Sequence, residues 1–230
     1  MIATAKNKVG KGLYSVPEAA FYARLRTQTM NRWLFGNNQG GAVLDPQYGD
    51  ESKDVSFLDF VQSLAVRSIT TSPKARRIPV QKIRQAVEHA KAYYDIEFPL
   101  AMKHKIYQFG NDLIIKTKED EYVGVSGSHR GNKVFSEIAE LYMRKIDFGD
   151  DGLVNRYRAW GTGDNLIVMD PNLRFGEPVF AKYGIPAETL FHAVQTEGSV
   201  SNAAKCYEVP DLAIYTAMDF FDHLELRSAV

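Results

Sequence analysis

Apolar positions in the first hundred residues recur at helical spacing in four separate stretches. In the first, Ser15 followed three residues later by Glu18 is a capping-box signature, and Pro17 between them suits a first helical turn. This predicts a short helix to about Ala23. A second helix follows at once, with Thr27 as its cap, and runs through Leu34. Met30, Trp33 and Leu34 form its i, i+3, i+4 apolar face, Gln28, Thr29, Asn31 and Arg32 point largely elsewhere, and Gly36 is placed to end it. Two short helices with a tight break, the second polar on one face, is helix-turn-helix geometry. The turn signals Gly40-Gly41, Asp45-Pro46 and Gly49-Asp50 around Ala42-Val43-Leu44 then predict a small hairpin, or wing. Helical spacing returns from Ser56, with Phe57, Phe60, Val61, Leu64 and Ala65. After a basic connector, 72–77, it returns from Pro79, with Val80, Ile83, Ala86, Val87 and Ala90 inward.

Past Pro99 the period switches. Lys105 to Val125 alternates around a Gly110-Asn111-Asp112 turn and reads as a small antiparallel meander. A helix is expected over Phe135 to Met143, and Asp147 to Asn165 reads as a Gly- and Asp-rich connector with little core signal. A short strand, Leu166 to Asp170, opens the final stretch. Three helices follow, from Pro186 to about Thr196, Ser199 to about Tyr207 and Pro210 to about Leu226. The last carries Leu212, Tyr215, Met218, Phe221 and Leu224 at helical spacing. The expected fold is mainly α, of the α+β kind. It comprises an N-terminal winged helix-turn-helix (12–98), a small central β meander with its connector (99–163) and a C-terminal three-helix domain for partner binding or dimerisation (164–230).

Composition narrows the class without naming a function. Of 230 residues, 45% are apolar and 24% charged, which excludes wholesale disorder. No apolar stretch approaches the ~20 residues of a membrane span, and Lys6, Lys8 and Lys11 are followed by no signal-type apolar block. A cytoplasmic protein with no membrane partner is expected. The net charge is zero but unevenly distributed: residues 1–105 hold 16 Lys and Arg against 9 Asp and Glu, a surplus of +7, and residues 106–230 carry the balancing −7. Such polarity suits one region for a polyanion and another for something basic. The single cysteine, Cys206, excludes an internal disulfide and is expected to be a buried, inert side chain near Ala203 and Tyr207.

No catalytic constellation emerges. The five histidines are scattered, and metal-ligand, Walker-type and nucleophile-elbow patterns are missing from the sequence. Gly161-Thr162-Gly163-Asp164 lacks the third glycine of a dinucleotide loop, so no enzyme activity, metal or cofactor is expected. The helix-turn-helix stretch is the better candidate. Reading a major groove takes a helix whose exposed N-terminal half offers short polar and cationic side chains. Gln28, Thr29, Asn31 and Arg32 supply that mix, Arg24 and Arg26 precede it within reach of phosphates, and Arg76 and Arg77 add backbone contacts. In the C-terminal helices Tyr207, Tyr215, Phe220 and Phe221 are more aromatics than a short three-helix unit hides fully, so some are expected to face a partner. Glu188, Glu197, Glu208, Asp211, Asp219, Asp222 and Glu225 surround them with negative charge.

These residues also carry a family resemblance. Leu13 through Ala20, Arg32-Trp33-Leu34, Val55 through Phe60 and Ile78 through Ile83 resemble the winged helices of mercury-resistance (MerR-type) regulators. The pattern Ile167-Val168-Met169-Asp170-Pro171, Phe175-Gly176-Glu177-Pro178-Val179, Gly184-Ile185-Pro186 and Glu208-Val209-Pro210 resembles domain-of-unknown-function family 433. The combination resembles VapB-type antitoxins. That resemblance implies a PIN-like ribonuclease toxin as cognate partner, binding to double-stranded DNA at the chain's own operator, repression of its own operon, and no catalysis. A homodimer is expected because useful operator specificity takes two half-sites. The long dimerising coiled coil of MerR regulators is not visible after residue 95, which shifts dimerisation to the C-terminal helices or the meander. Two other readings stay open: a stand-alone winged-helix regulator with its input through the C-terminal domain, and a small hydrolase.

Overall fold

The helices of the N-terminal half begin and end where side chains and turns satisfy their free backbone groups. In the computed structural model, which describes residues 10–37, 40–49, 51–71, 78–103, 105–109, 112–116, 122–124, 136–137 and 144–225, helix α1 spans Val16–Tyr22. Its predicted capping box is present: the Glu18 N–H donates to Ser15 Oγ (3.3 Å) and the Ser15 N–H donates to Glu18 Oε2 (2.9 Å). Its C-terminus closes as a Schellman motif. The Leu25 N–H reaches the Ala20 carbonyl and the Arg24 N–H reaches that of Phe21, with Arg24 itself left-handed at φ 52°. Helix α2, Thr27–Phe35, starts directly after this turn. Thr27 is its first residue rather than its cap, since Arg26 occupies the cap position without a side-chain bond. Gly36 ends it as expected, at φ 72° with a Cβ site only 2.9 Å from the Ala42 nitrogen.

The expected wing takes another form. Among the described residues of 40–56 there is no strand ladder, only isolated bridges that pair Asn37 with Gly40 and Tyr14 with Val55. The reason lies in where the backbone donors go: Val43 and Leu44 both give their N–H groups to the Trp33 carbonyl at the end of α2, and Val55 exchanges bonds with Tyr14. Helix α3, Phe57–Thr71, carries a second reciprocal box, this time buried: the Asp59 N–H donates to Ser56 Oγ (3.1 Å), and the Ser56 N–H and hydroxyl donate to Asp59 Oδ2 (3.1 and 2.7 Å). Helix α4, Val80–Tyr94, starts after Pro79 and ends on a left-handed Asp95.

The central region contains the expected meander. Strands β1 (Lys105–Phe109), β2 (Asp112–Lys116) and β3 (Tyr122–Gly124) pair antiparallel, and β4 (Ser136–Glu137) adds to β1 to give the order β3-β2-β1-β4. Helix α4 lies against β2. Ser136 and Glu137 are therefore strand where a helix was expected; the rest of that stretch, 135 and 138–143, lies outside the described residues, as do Arg76 and Arg77.

A second antiparallel sheet replaces the expected connector. It comprises β5 (Ile146–Phe148), β6 (Val154–Trp160), β7 (Ile167–Met169) and β8 (Val179–Phe180), in sequential order. Helices α5 (Ala187–Glu197), α6 (Val200–Cys206) and α7 (Asp211–Glu225) follow, within a residue or so of their predicted bounds. The fold is thus mainly helical, with N-terminal helices, small antiparallel sheets and a C-terminal helical bundle.

One buried apolar cluster runs from Tyr14 through α3 and the second sheet to Leu224. Phe60 of α3 meets Tyr157 of β6 edge-on at 5.9 Å, and Phe21 of α1 meets Phe221 of α7 at 6.4 Å. The Tyr14 hydroxyl donates to the Gly176 carbonyl at 2.7 Å, 162 residues away in sequence. No helix among the described residues is long and apolar enough to cross a membrane.

Candidate nucleic-acid interface and partner face

Helix α2 is fixed from beneath. Met30, Trp33 and Leu34 are buried, so rotation about its axis would expose three large side chains, each worth roughly 1.5–3 kcal/mol of burial. That locking decides what faces outward. Arg26, Thr27, Gln28 and Arg32 are exposed, and Thr29 and Asn31 are half-buried at the edge of the same face. The structure therefore brings together five of the sequence-predicted DNA-contact residues, Arg26, Gln28, Thr29, Asn31 and Arg32, on one helix and its first flank.

Arg24 goes elsewhere. Its left-handed backbone turns the side chain inward, where the guanidinium lies against both ring nitrogens of His223 on α7. Arg67 of α3 braces the same turn by donating from Nη1 to the Ala23 carbonyl at 3.1 Å. The α1–α2 turn is thus held by side chains from α3 and α7, a feature with no local sequence signal.

On the C-terminal helices the four predicted partner aromatics separate into two pairs. Phe220 and Phe221 are buried, 3% and 7% exposed, with Phe221 packed on Phe191 at 4.7 Å and on Phe21. Tyr215 is 52% exposed and Tyr207 half-buried, and Leu212, one turn before Tyr215, is 59% exposed. The buried face of α7 is formed by Ala213, Ile214, Ala217, Phe220, Phe221 and Leu224; of the stripe that the spacing picked out, Phe221 and Leu224 are buried, Met218 is half-buried, and Leu212 and Tyr215 are exposed. Glu188, Glu208, Asp211, Asp219, Asp222 and Glu225 are exposed and Glu197 half-buried. Cys206 is exposed, not buried as expected, because the buried positions of the short α6 are taken by Ala203 and Ala204.

The turn after β7 has a mechanical reading. The Asp170 carboxylate receives Arg156 of β6 through Nε and Nη2 (3.2 and 3.0 Å), and its other oxygen accepts the Asn172 N–H at 2.9 Å. Asp170 thereby ties the second sheet to the loop that presents the Gly176 carbonyl to Tyr14. Among the described residues, no three His, Cys, Asp or Glu side chains group to hold a metal ion.

No family model matches the chain. It is 25% identical over 224 residues to the "putative antitoxin VapB45" of Mycobacterium tuberculosis, covering 90% of this chain and 92% of that one. It superposes on the crystal structure of Rv2018 from Mycobacterium tuberculosis with a TM-score of 0.61 at 19% identity, over 90% of this chain and 97% of the other. By these likenesses the chain is homologous to a VapB-like antitoxin along nearly its whole length and shares its fold.

Proposed function

We propose that this protein is a non-catalytic antitoxin that neutralises a PIN-like ribonuclease toxin and represses its own operon by binding operator DNA. In this reading the N-terminal part (12–98) acts as a MerR-like helix-turn-helix with no wing ladder among its described residues, the central part (99–163) joins it to the rest, and the C-terminal part (164–230), of the domain-of-unknown-function 433 type, holds the partner. The observation that carries the DNA half is the locked register of α2, which leaves Arg26, Gln28 and Arg32 exposed with Thr29 and Asn31 at their edge. The likeness to VapB45 supports the antitoxin half.

Arg32 and Asn31 would read base edges, and Arg26, with Arg76 and Arg77, would neutralise phosphates. Two half-sites and therefore a homodimer follow from the short reach of a single recognition helix. Toward the toxin, Tyr215 and Leu212 supply apolar anchors within a rim of Asp211, Asp219 and Asp222, a charge sign that suits the basic rim of an RNA-cleaving site.

The test is binding of the full-length protein to the DNA upstream of its own gene across a salt series. Affinity falls steeply with salt, Arg32→Ala or Asn31→Ala costs about 1–3 kcal/mol on the preferred sequence, and Arg26→Ala weakens all sequences alike and lowers the salt slope by about one. Failure to bind that fragment at low salt overturns the DNA reading. Co-purification with the adjacent gene product, lost in Tyr215→Asp, tests the toxin reading. Retained DNA binding without any such partner would favour the stand-alone regulator.

A further inference from the structure

We propose that the recess between the loop before α3, the start of β6 and the turn after β7 binds a small planar heterocycle with a lactam edge, such as a free pyrimidine or purine base. Its volume is about 190 Å³. Phe57, Leu58, Leu153 and Pro171 supply apolar lining, and Gln47, Asn155 and Asn172 add three primary amides. Lys11 and Asp151 also line it, one charge of each sign.

Gln47 is the deciding group. Its Oε1 is buried and accepts no hydrogen bond from any described residue. A buried acceptor left without a donor keeps its full desolvation cost, which a ligand N–H removes. Asn155 and Asn172 are exposed, and their side-chain amides likewise bond no described residue. The backbones beneath these groups are pinned. Asp59 accepts the Gln47 N–H at 3.1 Å, Asp170 the Asn172 N–H at 2.9 Å, and Asp151 the Leu153 N–H at 2.9 Å. Fixed backbone beneath uncommitted amides is the arrangement of a preorganised site.

The ligand class follows from what the amides and walls ask for. A primary amide presents an acceptor and a donor side by side and pairs with an edge that carries the complementary two. A lactam, N–H beside C=O within a ring, is such an edge. A flat ring also keeps its polar groups on the rim, so its faces lie against apolar walls while the rim meets the amides. The size agrees, since drug-sized pockets begin at roughly 300 Å³ and this one takes a base without its sugar and phosphate. Neither α2 nor α7 contributes a described residue to the lining, so the site stands apart from both candidate interfaces. Its walls come from α3 and from the second sheet, so a bound ring ties the two together.

The probes are uracil and hypoxanthine, titrated into the full-length protein by ligand-detected magnetic resonance. Uracil methylated on both nitrogens is the control, because it keeps the ring and its carbonyls and has no N–H. At least one base should bind saturably, and the methylated control at least about tenfold more weakly, since Gln47 Oε1 then meets no donor. At ten times its Kd the base should raise the thermal midpoint by about 3–6 °C. Gln47→Leu should weaken binding at least about tenfold without lowering the midpoint of the ligand-free protein, because it removes a buried unpaired acceptor. Asn172→Ala leaves the backbone bond to Asp170 in place, so it is expected to fold in any case, and should weaken binding about threefold. Equal binding of uracil and its methylated form, unchanged binding in Asn172→Ala and Gln47→Leu, or no saturable binding of either base at millimolar concentration would overturn the proposal. A response to an acetylated amino-acid amide with none to either base would also overturn it, reassigning the recess to a peptide backbone.

Discussion

Asp59 offers the sharpest test of how this fold stores electrostatic energy. It is fully buried at the start of α3, and burial outweighs its bonds from Ser56 and Gln47 and the charge of Lys91, so its pKa rises from 3.8 to about 6. The folded state therefore holds the proton more tightly than the unfolded chain. The stability this group contributes is fully present below about pH 4 and is lost as pH rises through about 6, the reverse of a salt-bridged carboxylate. The span between the two values corresponds to about 3 kcal/mol. Asp59→Asn keeps the shape and removes the titration. In urea unfolding followed from pH 4 to 7.5, the wild type should lose up to about 3 kcal/mol relative to the variant, with every other titrating group cancelling in the comparison. Parallel stability curves for the two proteins would refute the reasoning. Depression of the wild type at the acid end instead would mean that the Ser56 and Gln47 donors dominate burial.

Three further outcomes follow from the packing. Gly176→Ala places a methyl group 2.1 Å from the Tyr14 hydroxyl at a φ of 94°, and should cost about 2–4 kcal/mol in chemical denaturation. Tyr14→Phe alone should cost about 1–2 kcal/mol, and the two should be non-additive because it removes the nearest clashing atom. Phe221→Ala opens a hole between Phe21 and Phe191 and should cost about 3–5 kcal/mol, read as a lowered thermal midpoint. Cys206 should react with a thiol reagent in the native protein at the rate of an accessible cysteine, without denaturant.

Much of the architecture was legible because its signals are local. Ser15 with Glu18 marks a helix start through contacts three residues apart, and Gly36 and Gly198 mark ends through backbone freedom. Other ends are invisible to that rule: Arg24, Asp95 and Glu208 occupy left-handed positions normally given to glycine. The second sheet was missed for a different reason. Arg156 and Arg158 interrupt the apolar alternation of β6, and only the fold brings Asp170 and Asp147 opposite them. Bulges beside Phe148 and Trp160 then break the two-residue period further. On α7, helical spacing found a stripe but not its direction. Leu212 and Tyr215 fit that stripe as well as Phe221 does, and the packing of α1 and α5 against α7 decides which side is buried. At the candidate interface the polar face of α2 was readable from Met30, Trp33 and Leu34, whereas the inward turn of Arg24 depends on His223, 199 residues away.

The continuity of the core predicts how the chain comes apart. Tyr14 to Gly176, Phe21 to Phe221 and Phe60 to Tyr157 join the N-terminal helices to the second sheet and to α7. Separating these parts would expose aromatic faces and strand a buried carbonyl, each worth a kcal/mol or more, with no compensating interaction. Local opening of one part is then nearly as costly as global unfolding, which is the condition for an all-or-none transition. The two tryptophans sit on opposite sides of the seam, Trp33 in α2 and Trp160 in β6, so each reports on one side once the other is replaced. Trp33→Phe and Trp160→Phe proteins, each compared with its own far-ultraviolet dichroism, should show fluorescence and dichroism midpoints that coincide within about 0.3 M urea. Distinct midpoints on the two sides would mean that the seam is weaker than the packing states. In that case the α2 surface would sit on a separately folding unit, and its orientation could not be held by His223 across the seam.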